Sequence, residues 1–418
     1  MRTIYFPSPL PLGRLWMRVR GAERAGWPAS AGLAQGVVSY PANAELKLKV
    51  YARAARDLSP LAMLQSDDLH TLDLSRTWVD DAQLANVRTL TGLKDLSLAH
   101  TSVGDAGLTN IRPLSHLHAI DLQSTRAGDV GLTALHFATE LIVLNLDRTA
   151  IGDAGLRSLI GLSMLRTLHL NGTKVGDAGI SHLSHLTDLR ALTLSFTQLG
   201  DQGLASLAGL ARLEQLNLAG TLVGDAGLAS LHRLTRLRSL VLYYGPHKVA
   251  AGHNVTGRAF EHLQSLGALR TLMLIGSAVN DEGLSWIGRL VGLRKLYLGA
   301  TPISDHGLAH LAALTRLTRL DLNRTAIGDA GLSRLHALAK LENLDIALTR
   351  VTDSGLAHLH HFPRLKTLVA HSIPISDAAI PYLAELTELR RLSLGRTTRI
   401  TERGKDTLRR LLPQCIVI

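Results

Sequence analysis

The sequence predicts an α/β fold, a right-handed solenoid with a horseshoe outline in which about 14 coils of 24 residues stack on one another. Three observations predict it. The phrase Leu-x-x-Leu-x-Leu-x-x-Thr returns every 24 residues, an Asp-x-Gly-Leu phrase follows it at a fixed distance, and aromatic residues make up only 4% of the chain. We expect a parallel β-sheet on the concave face, short helices on the convex face and an aliphatic core between them.

The strand of each coil is predicted from the leucines before the recurring threonine, which is numbered here as position 0. In the second coil these are Leu93, Leu96 and Leu98, ahead of Thr101. Strand side chains alternate, so positions −5 and −3 point one way and −6, −4 and −2 the other. We expect the threonine hydroxyls to bond neighbouring backbone groups along the stack. The column comprises Thr77, Thr101, Thr125, Thr149, Thr173, Thr197, Thr221, Ser277, Thr301, Thr325, Thr349 and Thr397.

The helix of each coil is predicted to begin at an aspartate, which is Asp105 in the second coil. An aspartate directly before the apolar spacing of Leu108, Ile111 and Leu114 is typical of an N-cap, whose carboxylate accepts from free backbone N–H groups. We interpret the aspartate column as helix caps rather than as a ladder of catalytic acids. Each coil buries about seven aliphatic side chains, at roughly 1.5–3 kcal/mol each, so an isolated coil should not fold.

The two ends of the chain depart from the coil pattern. Residues 1–44 carry five prolines and five arginines, and we predict a loosely ordered basic head; an uncleaved leader, a secretion or targeting segment and a wrongly assigned start are alternatives. An N-terminal cap is predicted over residues 45–68, with a strand within Ala44 to Tyr51. The repeats then occupy residues 69–404, and a C-terminal cap with a helix and a short strand occupies residues 405–418.

One insertion breaks the period and marks the predicted binding site. The spacing from Thr221 to Ser277 is two periods plus eight residues, and the extra residues lie within 244–253. Beside them, positions −4 and −2 change from small and polar to apolar and aromatic, which favours partner recognition. In the alternative, the loop folds over this patch and only buries it. The candidate residues are Val241, Tyr243, Tyr244, His247, Lys248, Met273, Ile275, Tyr297, Asp321 and Asp345.

Charge and composition narrow the classes of function. The formal charge is +11, and position −7 carries Lys or Arg in many coils, which predicts a solvated basic edge or a docking edge for an acidic partner. Aromatic residues are not interleaved with this column, which argues against nucleic acid. No apolar run is long enough to span a membrane, and Cys415 is the sole cysteine. We interpret the histidines as surface residues and predict no catalytic residue, metal or cofactor.

The pattern Leu-x-x-Leu-x-Leu-x-x-Thr-x-Ile/Val-x-Asp-x-Gly-Leu, over residues 46–418, resembles a leucine-rich repeat of the ribonuclease-inhibitor-like type. It is most similar to the cysteine-containing subclass associated with F-box proteins, with threonine in place of the cysteine, and to bacterial leucine-rich-repeat proteins that include secreted effectors. No F-box is recognised ahead of the repeats. The resemblance implies an interaction module rather than an enzyme.

Two functional hypotheses follow. The first is a monomeric, non-enzymatic scaffold that binds another protein on its concave face near the insertion, in the reducing cytoplasm that a single cysteine indicates. The second is a substrate-recognition subunit of a ubiquitin-ligase-type complex or a bacterial effector exported by a specialised secretion system, with the head as recruitment or secretion segment. An enzyme has the least support.

Overall fold

The computed structural model describes residues 1–7, 10–21, 27–28, 30–244, 255–395 and 399–418. They form two compact units, Met1–Leu199 (unit 1) and Gly200–Ile418 (unit 2). Each unit is an α/β solenoid of the predicted kind, in which every coil contributes one short parallel strand and one helical segment. Among the helices that the structure describes, none combines the length and the apolar content that a membrane span requires.

Unit 1 contains a parallel sheet that runs from β5 to β11, preceded by strands of the head. Neighbouring strands pair in register one repeat apart, so that Leu72 lies opposite Leu96. The strands are β1 (Arg2–Phe6), β2 (Gly13–Val19), β3 (Ser30–Leu33), β4 (Gly36–Tyr40), β5 (Ala44–Val50), β6 (Thr71–Asp73), β7 (Asp95–Ser97), β8 (Ala119–Asp121), β9 (Val143–Asn145), β10 (Thr167–His169) and β11 (Ala191–Thr193). The helices are α1 (Asp81–Leu84), α2 (Asp105–Leu108), α3 (Asp129–Leu132), α4 (Asp153–Leu156) and α5 (Asp177–Ser181), with 3-10 turns at Ala54–Arg56, Ser59–Met63, Ala85–Val87, Thr109–Ile111, Thr133–Phe137, Arg157–Leu159 and His182–His185.

Unit 2 repeats the arrangement and ends in the predicted C-terminal helix and strand. Its helices are α6 (Asp201–Ser206), α7 (Asp225–Ala229), α8 (Asp281–Ile287), α9 (Asp305–Leu308), α10 (Asp329–Ser333), α11 (Asp353–Leu356), α12 (Ile380–Ala384) and α13 (Glu402–Leu411), with 3-10 turns at Leu207–Gly209, Ser230–Arg233, Arg258–Glu261, Ala309–Ala313, Ala357–His361 and Asp377–Ala379. Its parallel strands are β12 (Gln215–Asn217), β13 (Ser239–Val241), β14 (Thr271–Met273), β15 (Lys295–Tyr297), β16 (Arg319–Asp321), β17 (Asn343–Asp345), β18 (Thr367–Val369), β19 (Arg391–Ser393) and β20 (Ile416–Val417).

The leucine columns form the core of each unit, as predicted. In the second coil Leu93, Leu96 and Leu98 are buried, and Leu108 and Ile111 are buried on the helical side. Each coil covers the apolar face of its neighbour, and full burial of one such side chain contributes roughly 1.5–3 kcal/mol. Stacking therefore supplies the burial that a single coil lacks.

The recurring threonine closes each strand through a bond within its own coil. The Thr101 hydroxyl donates to the Leu98 carbonyl oxygen at 2.6 Å. The hydroxyls of Thr77, Thr125, Thr149, Thr173, Thr197, Thr221, Thr301, Thr325 and Thr349 do the same. The predicted ladder of satisfied hydroxyls is confirmed at these positions. The buried hydroxyl of Ser277 is the exception, since it has no partner among the described residues.

The residue before the threonine turns the chain out of the strand with a positive φ. Glycine occupies this position at Gly172, Gly220 and Gly276. Larger residues adopt the same conformation at Arg76, His100, Ser124, Arg148, Phe196, Ala300, Arg324, Leu348 and Ser372. The left-handed region costs an L residue roughly 1–2 kcal/mol. The turn is held between coils, because the N–H of this residue donates to the next coil, as from His100 to Gln123 O at 2.8 Å.

The aspartate column links successive coils instead of capping its own helices. Gly104 is the N-cap residue of α2, and Asp105 is the first helical residue. Asp105 Oδ1 accepts from the backbone N–H of Gly128, in the next coil, at 2.6 Å. Asp81, Asp129, Asp153, Asp201, Asp281, Asp305, Asp329, Asp353 and Asp377 make the equivalent bond. The N-cap prediction is wrong, because the donor lies in another coil and a local capping pattern cannot reveal it.

The head does not remain loosely ordered where the structure describes it. Strand β2 pairs antiparallel with β5 along its whole length, and β1 pairs antiparallel with β4. Ile4 and Phe6 are buried, and Arg2 forms a bidentate ion pair with Asp67 at 2.9 Å. The prolines and the missing coil period conceal these strands in the sequence, since an alternation as short as that of Ile4 and Phe6 is a weak signal.

A buried ion cluster fastens the head to the first coils. Glu45, in β5, is fully buried and accepts from Arg18 Nε at 2.9 Å and from Lys94 Nζ at 2.7 Å. Burial alone would raise the pKa of Glu45, but the hydrogen bonds and charges of Lys94 and Arg18 outweigh it and hold that pKa below its usual range. Lys94 belongs to the basic column at position −7, so this member of the column is structural rather than solvated.

Candidate functional site

The strand face of unit 2 is the surface formed by the −4 and −2 side chains of β13 to β18. Its −4 residues follow one another in register from Val241 to Met273, Tyr297, Asp321 and Asp345. All five are half-buried and alternate with the buried leucines of the core. Because neighbouring strands lie about 4.8 Å apart, the structure brings these predicted site residues into one continuous row.

A groove at the carboxyl ends of these strands has a volume of about 390 Å³. We call it the unit 2 groove. The predicted residues Tyr243, Tyr244, Ile275 and Asp345 line it. Asn323, Arg324, Ala347, Leu348 and His371 also line it, and the prediction missed them. Their positions, −2 and −1 in three successive coils, could have identified them, because these columns converge where the strands end.

A smaller hollow of about 130 Å³ adjoins the groove on the strand face. Tyr297, Asp321 and Asp345 line it together with Arg319 and Asn343. Asp345 therefore borders both hollows. Arg319 Nη2 donates to Asn343 Oδ1 at 3.1 Å, so this cation is directed along the sheet toward an amide.

The carboxylates of Asp321 and Asp345 lie on neighbouring strands of this face. Among the described residues, neither has an ion-pair partner within 4.0 Å. Asp321 Oδ1 accepts from the N–H of Asn323, and Asp345 Oδ1 from that of Ala347, each at 3.0 Å. Burial nevertheless raises the pKa of both carboxyl groups, and the Asp321 charge raises that of Asp345 further. The face therefore favours an added positive charge at this point.

Tyr244 is nearly fully buried, and it forms part of the wall of the unit 2 groove. Its side chain is 5% exposed, and its hydroxyl donates to Val223 O at 3.0 Å. In other coils the corresponding carbonyl accepts a backbone N–H of the next coil, as Val103 O does from Arg126. Tyr244 takes over this role at the insertion, and burial raises the pKa of its hydroxyl above the usual range. The sequence could not show this inward turn, because the coil phase is lost at this residue.

The other two loop candidates, His247 and Lys248, lie within residues 245–254, outside the described part of the chain. The alternative of a loop that covers the patch concerns the same residues. Both remain predictions.

In unit 2, basic side chains at position −7 form hydrogen bonds and ion pairs with neighbouring groups of the protein. Arg270 Nη1 donates to the carbonyl oxygens of Gly267 and Leu269 at 2.8 and 2.9 Å. Lys366 pairs with Glu342 at 3.1 Å, at an exposed site where an ion pair contributes little. These contacts are those of a solvated edge.

The histidines gather on the helical side of unit 2 without forming a metal site. The ring of His361 lies 3.9 Å from that of His360, 6.0 Å from that of His336 and 6.5 Å from that of His358, between centroids. Within the described ranges, no group of three or more His, Cys, Asp or Glu side chains is placed to hold a metal ion.

Comparison with known proteins identifies the repeats. Residues 161–184, 185–208 and 313–335 match the family described as leucine-rich repeat. No curated relative matches the sequence.

Solved structures share the fold at low sequence identity. An internalin of Listeria monocytogenes is 21% identical with a TM-score of 0.60, over 88% of this chain and 94% of that one. A leucine-rich-repeat protein of Leptospira interrogans is 17% identical with a TM-score of 0.60, over 89% and 99%. The ectodomain of a plant membrane receptor kinase of Arabidopsis thaliana, solved in complex with Casparian strip integrity factor 2, is 17% identical with a TM-score of 0.57, over 89% and 48%. At these identities the likeness establishes a leucine-rich-repeat fold and no more.

Proposed function

We propose that this protein is a non-enzymatic interaction module that binds an extended segment of another protein on the strand face of unit 2. The observation that carries the proposal is the unit 2 groove with its adjoining hollow: half-buried apolar side chains and the carboxylate of Asp345 line the groove, and Asp321 lines the hollow beside it. The similar plant receptor ectodomain, solved with its named partner, supports a binding role for this kind of scaffold. Fold alone does not fix function.

The apolar half of the site suits one bulky side chain of the partner. The groove volume of about 390 Å³ lies within the range of roughly 300–1,000 Å³ that ligand sites have. Tyr243 and Ile275 are half-buried there, and Leu348 is 41% exposed. An aromatic or large aliphatic side chain would pack on Tyr243 and Ile275, which follow neighbouring strands, while Leu348 lines the groove beside Asp345. Such anchors dominate binding energy at interfaces.

The charged half of the site suits arginine or lysine. An opposite charge within about 4–6 Å lowers the pKa of a carboxylate and reverses the effect of burial. Arginine fits better than lysine, because its planar guanidinium can donate to two carboxylates at once. The strand of Asp345 lies four strands from that of Val241, about 19 Å at the usual spacing, so an extended segment would separate its anchor and its cation by about six residues.

Selection from a random peptide library displayed on phage, with the full chain as bait, tests the proposal. We expect enriched peptides to combine an aromatic or large aliphatic residue with an arginine or lysine about six positions away. Replacing both carboxylates (Asp321→Asn with Asp345→Asn) should weaken the selected peptides by about tenfold or more, as loss of about 1.4 kcal/mol implies. Isothermal titration calorimetry measures the change.

Asp121→Asn is the matched control, since Asp121 occupies position −4 on a strand of unit 1. It should leave peptide binding unchanged. Selection of peptides without a cation, or equal loss in the control, would contradict the proposal. Deleting Pro246 to His253 separates the two roles of the inserted loop. Weaker peptide binding would show that the loop contacts the partner, and tighter binding would show that the loop occludes the apolar patch.

A further inference from the structure

The turns that end the strands of unit 1 carry a row of exposed cations and aromatic rings. The row occupies position −1 or +1, on either side of the buried threonine, in five of the six coils from Thr77 to Thr197, and we call it the unit 1 edge. Its members are Arg76, Trp78, Arg126, Arg148, Lys174 and Phe196. The two rings have no apolar cover, since Trp78 is 70% and Phe196 65% exposed.

The backbone presents this row at a fixed spacing. At position −1, the N–H of Arg148 donates to Asn171 O of the next coil at 2.7 Å. At position +1, the N–H of Arg126 donates to Val103 O and that of Lys174 to Ile151 O of the preceding coil, each at 2.8 Å. Bonds of this kind in successive coils hold the turns about 4.8 Å apart, the strand spacing of a sheet. The backbone positions from which the side chains of the unit 1 edge extend are therefore regularly spaced.

The cations of the edge are not neutralised by their surroundings. Within the described residues, Arg76, Arg126, Arg148 and Lys174 have no carboxylate within the 4.0 Å of an ion pair. The carboxylate of Asp147, next to Arg148 in the sequence, already has hydrogen-bond partners: it accepts from the backbone N–H and the side-chain amide of Asn171 at 2.7 and 3.0 Å.

We propose that the unit 1 edge binds single-stranded nucleic acid, with the four cations along the phosphates and the two rings stacking on bases. Cations that follow a backbone and exposed rings on which bases stack are the features such binding uses. The rings lie at the two ends of the row, Trp78 in the first coil and Phe196 in the sixth. The basic column at position −7 lacks the rings; the unit 1 edge has both. An acidic protein segment would use the cations but has no need of the two exposed rings. The formal charge of +11 adds long-range attraction to a polyanion.

Fluorescence anisotropy with a labelled oligothymidylate long enough to span six coils tests the proposal on the full chain. Four phosphate contacts predict that the logarithm of the affinity falls with the logarithm of salt concentration at a slope of about −3. Replacing two of them (Arg76→Gln with Arg148→Gln) should bring the slope to about half that value. Trp78→Ala and Phe196→Ala should each weaken binding by at least about fivefold, since stacking of one base contributes that much.

The control pair Arg166→Gln with Arg190→Gln makes the same change of net charge at position −7 of the same unit, where both side chains are exposed. It should leave the affinity and the slope nearly unchanged. Equal loss in the control pair, or absence of binding at low salt, would overturn the proposal. If polyglutamate binds as tightly and Trp78→Ala has no effect, the edge reads charge alone and the nucleic-acid assignment is wrong. Asp321→Asn in unit 2 should not affect oligonucleotide binding, so this proposal and the peptide-binding proposal fail separately.

Discussion

The two units are built from one coil but give the same strand position opposite electrostatic characters. Asp73 in unit 1 and Asp345 in unit 2 both occupy position −4. Burial alone would raise the pKa of Asp73, but bonds from Ser75 and the charge of Lys49, 3.3 Å away, hold that pKa below its usual range. No ion pair with Asp345 is present among the described residues, and burial raises the pKa of Asp345.

The turns of the two units also carry different residues on the same backbone. The non-glycine residues at position −1, all with similar positive φ, are Arg76, His100, Ser124, Arg148 and Phe196 in unit 1 and Ala300, Arg324, Leu348 and Ser372 in unit 2. The bonds that hold coils together come from the backbone and from the aspartates that bond the next coil, and the threonines close each strand within its own coil. Residues at the exposed columns are therefore free to vary, and the comparison separates a shared framework from two different surfaces.

The largest expected effect is a loss of stability when a glycine that packs against the aspartate column is replaced, and it should be equal in both units. A methyl group at Gly131 would overlap the carboxylate of Asp105, and one at Gly331 would overlap that of Asp305. Each alanine variant should lower the free energy of unfolding by about 2–4 kcal/mol, from overpacking and a weakened bond to the next coil. Hydrogen exchange followed in each unit measures it, because repeat arrays need not unfold in one step.

Gly161→Ala in unit 1 and Gly267→Ala in unit 2 are the controls, since an added methyl group meets nothing within 4 Å at either site. They should change stability by less than about 0.5 kcal/mol. A large loss in one unit and none in the other would refute a common framework.

Replacing the aspartate at position −4 should have a smaller effect on stability, with opposite signs in the two units. Asp73→Asn should lower stability by about 1 kcal/mol at neutral pH, because it removes an ionised acceptor from Ser75 and Lys49. Asp345→Asn should raise stability by about 0.5 kcal/mol, because it removes a buried, unpaired charge. Urea denaturation of each variant against the wild type measures both.

The contributions of the two carboxylates to stability should also depend on pH in opposite ways. The pKa of Asp73 is lower in the folded than in the unfolded state, so its stabilisation is present above about pH 4 and is lost as pH falls through the folded pKa. The pKa of Asp345 is higher in the folded state, so its penalty is full above that pKa and disappears as pH falls toward 4. Both variants should therefore approach the wild type in acid. The same sign for both variants at neutral pH would refute the contrast.

The smallest effect on stability concerns the left-handed turns. Leu348→Gly and Phe196→Gly each relieve a strained backbone but add unfolded-state entropy, so stability should change by less than about 1 kcal/mol. Leu348→Gly should weaken peptides selected on unit 2 and spare oligonucleotide binding, and Phe196→Gly should do the reverse. Anisotropy with both probes measures this, and loss of both activities in either variant would show a general structural defect.

Most of the fold could be predicted because its signals are periodic and local. Leu93, Leu96 and Leu98 must be buried together, and Thr101 bonds a carbonyl only three residues back. The role of Asp105 could not be predicted, because its donor lies 23 residues further along the chain. Contacts across coils depend on stacking geometry, which a single coil's sequence does not contain.

The candidate site could be predicted only where the sequence keeps the 24-residue repeat register. Val241, Met273, Tyr297, Asp321 and Asp345 follow directly from position −4 and lie in one row. Tyr244 stands where the insertion ends the phase, and it turns inward to satisfy Val223 O. Leu348 and His371 were missed because the hollow forms between columns rather than within one.

The antiparallel pairing of β2 with β5 limits how the chain associates with copies of itself. A parallel stack ends in a row of unpaired N–H and C=O groups, which is a template for aggregation. β2 covers that row on β5 from Gly13 to Val19 in the opposite chain direction, so the end coil of another molecule cannot add there. A truncation that removes residues 1–44 would uncover β5 and invite end-to-end polymers. Loss of activity in such a truncation would then report self-association before it reported any role of the head in recruitment or export.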